Sequence, residues 1–396
     1  MPNDPPEPDR LRHVDALRGF ALLGILAVNI GAFADSWFGT FAPNPAFGAP
    51  LDQAVRFSVT LLFETKFYLL FAFLFGVSFT LQMSAAARAG AAFEPRLLRR
   101  QGGLLLLGLL HGLLLFDGDI LLLYGLLGLV LLAWRDWPPR RALRIAVTLV
   151  VASAMLWLLA GAAIVAIGVA LPADDSIVRT RLAGLGGDAA ATLRYYLTQW
   201  RQSALTLLLL QAPGALAAFL VGFAAGRSGV LSQPALAWPA VRRIVIFGWP
   251  LGLSGALVYA WARTTAPGLG ADFVALGLSL LTGPLLTAAY VAGALALFQT
   301  PRGQRIEQWL APLGRMALSN YLGQSVVLGL IFTGYGLRLI DRLPPPAVLA
   351  LVPAIIAVQA VFSRWWLQRH AYGPAEWVLR AITTARLPRW RLAAAS

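Results

Sequence analysis

RLRHVDALRGFALLGILAVNI, residues 10–30, opens on Arg10, Arg12, Asp15 and Arg18, runs apolar from Gly19 to Val28 and closes on Asn29. A helix crossing the hydrocarbon core of a bilayer needs roughly 20 mostly apolar residues. Such runs recur along nearly the whole chain. Of its 396 residues 58% are hydrophobic and only 13% charged, and the mean hydropathy is +0.70. These values exclude an ordinary soluble domain, so the bilayer is read as the main solvent.

Working outward from that stretch, the pattern predicts about ten spans, near 17–34, 57–82, 102–116, 120–134, 145–170, 203–225, 244–262, 273–298, 316–334 and 346–366. An even count puts both termini on one side. The connecting charges fix which side. Arg88, Arg96, Arg99 and Arg100, then Arg135 to Arg144, then Arg227, Arg242 and Arg243, then Arg302 and Arg305 fall in alternate loops. The opposite loops are poorer, with Arg56, Arg263, Arg338 and Arg342. The exception is 172–201, where Asp174, Asp175 and Asp188 dilute Arg179, Arg181, Arg194 and Arg201 and the length of the loop weakens the rule. By the positive-inside rule both termini are cytoplasmic. The expected fold is an all-α polytopic bundle in the bacterial cytoplasmic (inner) membrane. Residues 1–14 form a cytoplasmic tail, 15–367 a single bundle with an outer loop at 172–201, and 368–396 a basic cytoplasmic segment. Within 172–201, TLRYYLTQW suggests a helix lying on the outer surface.

The net charge of +14 is spread over short loops, which argues for topology and against nucleic acid. With no cysteine and only His13, His111 and His370, no metal centre is expected. Arg10 to Ala34 imitates a cleavable signal peptide, but Asp15 and Arg18 crowd the start of the apolar run, and a retained first span is expected.

Ionisable groups at membrane depth are costly and raise a functional reading by default. Asp15 and Arg18 are three apart on a helix and can pair, either as a capped helix start or as an anion-binding inner mouth. In LLFETKFYLLFAF, Glu64 and Lys66 enter the second span, and Lys66 is the only lysine in the chain. It either serves a site or snorkels to the surface. HGLLLFDGDILLLY places His111 roughly 9 Å below a hairpin tip at 1.5 Å per residue, with Asp117 and Asp119 around Gly118 on the tip. His111 is either a satisfied core histidine or a base. Asn29, Glu64, Lys66, His111, Asp117, Asp119 and Tyr124 all fall in the outer halves of their spans, so Asn29 is expected to line an outward polar cavity. In ALSNYLGQS, Asn320 and Gln324 share a helix face and serve mainly to join helices. Pro213 and Gly283-Pro284 are expected helix breaks. After the last span, YGPAEWVLR reads as a turn and a surface helix in which Glu376 pairs with Arg380.

VDALRGFALLGILAVN, KFYLLFAFLFG, LLGLLHGLLLFDGDILLLYG, GRMALSNYLGQS and YGPAEWVLR together resemble the YeiB-like family of bacterial multi-pass membrane proteins, over Asp15 to Arg380. That family is similar to transmembrane acyltransferases such as heparan-alpha-glucosaminide N-acetyltransferase, in which an Asp, an Arg three later and a polar residue fourteen after the Asp recur, here Asp15, Arg18 and Asn29. The glucosaminide enzyme carries its active histidine soon after that Asn, whereas DSWFGTFAPNPAFGAP, residues 35–50, has none. The resemblance implies an acyl group moved from cytoplasmic acyl-CoA, as co-substrate, to an envelope glycan or lipid acceptor. His111 would be the base, with Asp117 or Asp119 orienting it. Lys66 and Asn29 would polarise the carbonyl or hold the acceptor, and Asp15 and Arg18 would organise the donor mouth. Glu64, Tyr124, Asn320 and Gln324 complete the expected substrate contacts. A transporter or flippase using the same groups, and a non-catalytic lipid-binding partner, remain the alternatives. Membrane lipids are the expected surroundings, and self-association is compatible with the sequence.

Overall fold

The structure, a computed structural model, describes residues 11–40, 42–168, 175–231, 238–266 and 268–392. Most of the expected N-terminal tail, positions 169–174 around the start of the outer loop, and the last four residues lie outside them. The described residues form fifteen helices and no strand, with a lone bridge between His370 and Arg391. Six helices are long and apolar enough to cross a membrane, and a bent pair makes a seventh. Three of the ten expected spans fall on helices that miss this measure. Of these, α5 (Leu121–Ala133) and α13 (Ala317–Phe332) are too short; thirteen residues reach only about 20 Å. The third, α4 (Phe93–Leu114), carries Glu94, Arg96, Arg99 and Arg100 in its first two turns.

The opening stretch forms α1 (Arg12–Ala34), which occupies the middle of the bundle with Leu17, Leu22, Leu26 and Phe33 buried. Around it pack α3 (Phe67–Arg88), α12 (Pro301–Arg315), α13 and α14 (Pro345–Leu367). The sequence shows α12 only as a connecting loop with charges. It is an amphipathic helix whose Leu310, Ala311, Leu313 and Gly314 are buried. Its Gly314 lies so close to α1 that an added Cβ would overlap the Asp15 carbonyl oxygen.

The expected second span is broken. It runs as α2 (Pro50–Leu62) and α3, parted at residues 63–66 with Thr65 in the left-handed region at φ 65°, a conformation a β-branched residue rarely adopts. A break at membrane depth frees backbone carbonyls that lipid cannot satisfy. Here side chains satisfy them. Lys66 Nζ donates to the Thr60 carbonyl at 2.9 Å, and Tyr290 Oη, from α11 (Leu269–Phe298), donates to that of Leu62 at 2.8 Å. Lys66 is wholly buried, which excludes snorkelling. Lys66→Met is therefore expected to cost about 1–3 kcal/mol by orphaning a buried acceptor, read as a lower midpoint of thermal unfolding in detergent.

The expected span 203–225 is also broken, where α8 (Ala189–Leu210) meets α9 (Ala212–Arg227) at a 55° bend. The break falls at Gln211, with Pro213 in the first turn of α9. In contrast Pro284 lies inside a continuous α11. The TLRYYLTQW segment is the first half of α8, and its Tyr195 and Tyr196 bury against Leu185 and Ile340. Leu185 belongs to α7 (Ser176–Leu185). The frame is completed by α6 (Pro139–Ile167), α10 (Trp238–Thr265) and α15 (Pro374–Thr384).

In α15, Glu376 does not pair with Arg380. Its carboxylate accepts from the backbone N–H of Leu318 at 2.7 Å and of Ser319 at 3.1 Å, and from Ser319 Oγ at 2.5 Å. It thus caps α13 from a neighbouring helix, where the positive end of the helix dipole favours it. Arg380 lies over the Tyr372 ring instead. Burial raises the Glu376 pKa, while these hydrogen bonds lower it.

Candidate functional site

At the C-terminal end of α1 the helices part around a cavity of about 520 Å³, within the roughly 300–1,000 Å³ typical of small-molecule sites. Both helix breaks face it. Phe63, Glu64 and Thr65 line it from the α2–α3 break, and Leu210 and Gln211 from the α8–α9 break. Asn29 lines it from α1, as expected, along with Arg56, Tyr259 and Arg263, while Phe67, Trp157, Leu276 and Leu280 supply apolar wall. A smaller cavity of about 110 Å³ adjoins it and shares Asn44, Phe47, Arg56 and Thr264.

The rim is built from the 35–50 segment, which the sequence offers only as a stretch without histidine. Asp341 accepts from Ser36 N–H at 2.9 Å and from Asn44 Nδ2 at 3.1 Å, while Asn44 Nδ2 also donates to Asp35 at 2.9 Å. Arg181, from α7, donates to the carbonyls of Ala32 at 2.7 Å and Phe38 at 2.9 Å, covering the negative end of α1. Burial is the largest influence on the Asp35 carboxyl and raises its pKa above 3.8, with Asp341 adding to the effect and Asn44 opposing it. A raised pKa means the folded state holds the proton more tightly than the unfolded one. The contribution of Asp35 to stability is thus full at acid pH and is lost as pH rises through its folded pKa. Asp35→Asn should flatten that loss in an unfolding series run upward from pH 4.

Behind the hairpin that closes one wall, His111 Nδ1 meets Asp119 Oδ1 at 2.7 Å, both side chains at most 3% exposed. The other Asp119 oxygen accepts from Leu122 N–H at 2.9 Å, capping α5, so one carboxylate holds both the imidazole and the helix start. Nε2 of His111 is buried without a hydrogen-bond partner. Tyr321, whose ring centre lies 5.2 Å from that of His111, likewise has a buried unpartnered hydroxyl. Asp117 faces elsewhere and accepts from Ser203 Oγ at 3.0 Å. The pair is not part of the cavity lining, although Gly118 and Ile120 on either side of Asp119 are.

The remaining expected residues divide clearly. Glu64 is at the cavity, accepting from Thr60 Oγ1 at 3.1 Å. Lys66 is beneath it, and Tyr124 Oη donates to the Tyr68 carbonyl at 2.8 Å. Asn320 Nδ2 donates to Ser363 Oγ and to the Leu313 carbonyl, both at 3.0 Å, and Gln324 Nε2 to Gln359 Oε1 at 3.0 Å. That pair joins α13 to α14, as expected. Arg18 bonds Asp15 and Ser78, each at 2.6 Å, and does not line the cavity. Between them Phe67 fills the notch left by Gly24, where an added Cβ would overlap its ring, and Phe20 packs edge-on at 5.1 Å.

The chain is 30% identical over 404 residues to "Uncharacterized protein YxaH" of Bacillus subtilis, covering 95% of this chain and 94% of that protein. It is 30% identical over 403 residues to "Uncharacterized protein YeiB" of Escherichia coli, covering 93% and 95%. The chain belongs to the YeiB-like family. The family described as "Protein of unknown function (DUF418)" matches residues 225–386. A protein of Bacillus acidopullulyticus, "Uncharacterized 39.9 kDa protein in amylase 3'region", is 27% identical over 390 residues.

The DUF418 portion of this YeiB-like chain holds Tyr259, Arg263, Tyr321 and the Asn320–Gln324 ties. Asn29, Arg56, Glu64 and the His111–Asp119 pair come from the preceding part, so the cavity is assembled from both. Arg56 and Arg263 enter the sequence reading only as charges of the arginine-poor loops. Arg263 lies in the last turn of α10 and Arg56 immediately precedes a long apolar run, and that placing is the signal that could have singled them out.

Proposed function

We propose that this YeiB-like protein acts in the bacterial cytoplasmic membrane, with its termini inside and the cavity outward, to transfer an acyl group from acyl-CoA to an envelope glycan or lipid acceptor. The observation that carries this reading is the buried His111–Asp119 pair. One imidazole nitrogen is held by a carboxylate and the other is unpartnered, the arrangement that orients a general base. Nε2 would take the proton of an acceptor hydroxyl or amine as that atom attacks the thioester carbonyl. The C–S bond then breaks, and the leaving thiolate takes the proton back from Nε2. Arg18, at the inner end of α1, would meet the donor's phosphates. Transfer along this line requires Phe67 and the Ile120 wall to move.

The test is calorimetric titration of acetyl-CoA and longer acyl-CoA into the protein in nanodiscs. Saturable binding that Arg18→Ala removes and His111→Gln keeps is the expected result. If no thioester binds the wild type, the transfer reading fails. A second reading, transport of a small molecule or lipid, is favoured by the two broken helices that meet at the cavity, since discontinuous helices mark substrate sites in secondary transporters.

A further inference from the structure

The cavity has a polarity that neither reading uses. Its rim holds Arg56, half-buried, whose one hydrogen bond among the described residues is a long 3.4 Å contact from Nη2 to the Asn44 carbonyl. No carboxylate lies within 4.0 Å of it there. Asp35, on the same rim, attracts Arg56, but its carboxylate is already engaged by Asn44 Nδ2 at 2.9 Å and by Trp37 N–H at 3.0 Å. Arg56 therefore keeps guanidinium donors open to a ligand, and it stands where the small cavity joins the large one. A guanidinium with most of its donors unused is suited to a planar or tetrahedral oxyanion. Below it, Val55, Val59, Leu276, Leu280, Val348 and Leu349 make an apolar trough between α2, α11 and α14.

Size narrows the ligand further. At roughly 30 Å³ per water-sized group, 520 Å³ holds about seventeen such groups. That suffices for a small head and one chain of about a dozen carbons.

We propose that the cavity binds a single-chain amphiphile with a phosphate head, the phosphate at Arg56 between the two cavities and the chain in the trough. The inference rests on the cavity being a substrate site, the part that transfer and transport share. The same head chemistry could be offered by free phosphate in solution, and the experiment separates the two.

Full-length protein in a neutral detergent is titrated with dodecyl phosphate, with dodecyl glucoside and with inorganic phosphate, and bound molecules are counted by native mass spectrometry. One saturable dodecyl phosphate is expected. It should weaken about tenfold or more in Arg56→Gln, the scale of a lost charge-assisted hydrogen bond, and remain unchanged in Arg179→Gln on the exposed face of α7. Leu280→Trp, which fills the trough, should weaken it too. Equal binding of dodecyl glucoside, or an Arg56→Gln variant that binds as the wild type, overturns the proposal. Inorganic phosphate competing at the concentration of the amphiphile overturns the chain's part in it. Binding is scored without turnover, so a protein that takes dodecyl phosphate but no thioester retains this site and loses the transfer reading alone.

Discussion

Gly222→Leu is expected to leave no folded protein, the largest effect of any single substitution here. The GFAAG motif at 222–226 brings α9 against α3, where an added Cβ on Gly222 would overlap the Phe73 carbonyl and one on Gly76 that of Phe219. Two backbones in contact leave no side chain to move aside, and close approach through small residues is what holds helices together in lipid. A leucine must separate the helices, and α9 also packs on α6 and α8. The measurement is the monodisperse fraction in size-exclusion chromatography after detergent extraction. Gly293→Ala, at a position with open space, should behave as the wild type. Normal yield and elution of Gly222→Leu would show that the α3–α9 crossing is not as tight as described.

The second large effect is expected at the buried pair. His111→Ala leaves the Asp119 carboxylate in a site 3% exposed with only Leu122 N–H to satisfy it. Leaving a buried carboxylate without one of its hydrogen-bond partners costs about 1–3 kcal/mol or more. His111→Gln keeps a donor within reach and should cost less. The sharper check is the double variant His111→Ala, Asp119→Asn, which removes the orphaned charge and should recover part of the loss. If the two single losses simply add, the residues are not coupled, and the contact at 2.7 Å carries little energy. The double-variant cycle also separates a structural role from a chemical one, because recovered stability without recovered acyl transfer would assign the pair to the reaction.

The helical membrane class was legible because apolar runs of membrane length need no partner information to recognise. Asn29 does line a cavity, and a polar residue late in a long apolar span has few other places to go. The DGD tip was only half legible. Asp117 and Asp119 flank the same glycine, and the choice depends on α5 beginning so that Leu122 N–H reaches Asp119, a detail of one residue in register. The break at 63–66 was not legible. Hydropathy runs straight through it, and what makes it tolerable is supplied by Tyr290 and Thr287 from more than two hundred residues away. For the same reason Lys66 looked like a substrate contact when its ammonium is spent on backbone. The Glu376–Arg380 pair failed on a different ground: local spacing offered one partner, and the uncapped start of α13 offered a better one. The arginine-lined rim stayed hidden because loop charges were used to orient the chain, and one residue can serve both purposes.

The lone lysine also gives the folded chain an unusual chemical silence. With Lys66 wholly enclosed and no other lysine in the sequence, the intact bundle offers amine-directed reagents no lysine side chain. Modification at position 66 would register one event, the coming apart of the α2–α3 junction beside the cavity. The rate of that labelling is thus a clock for the opening of the site, built into the protein and readable without any engineered probe.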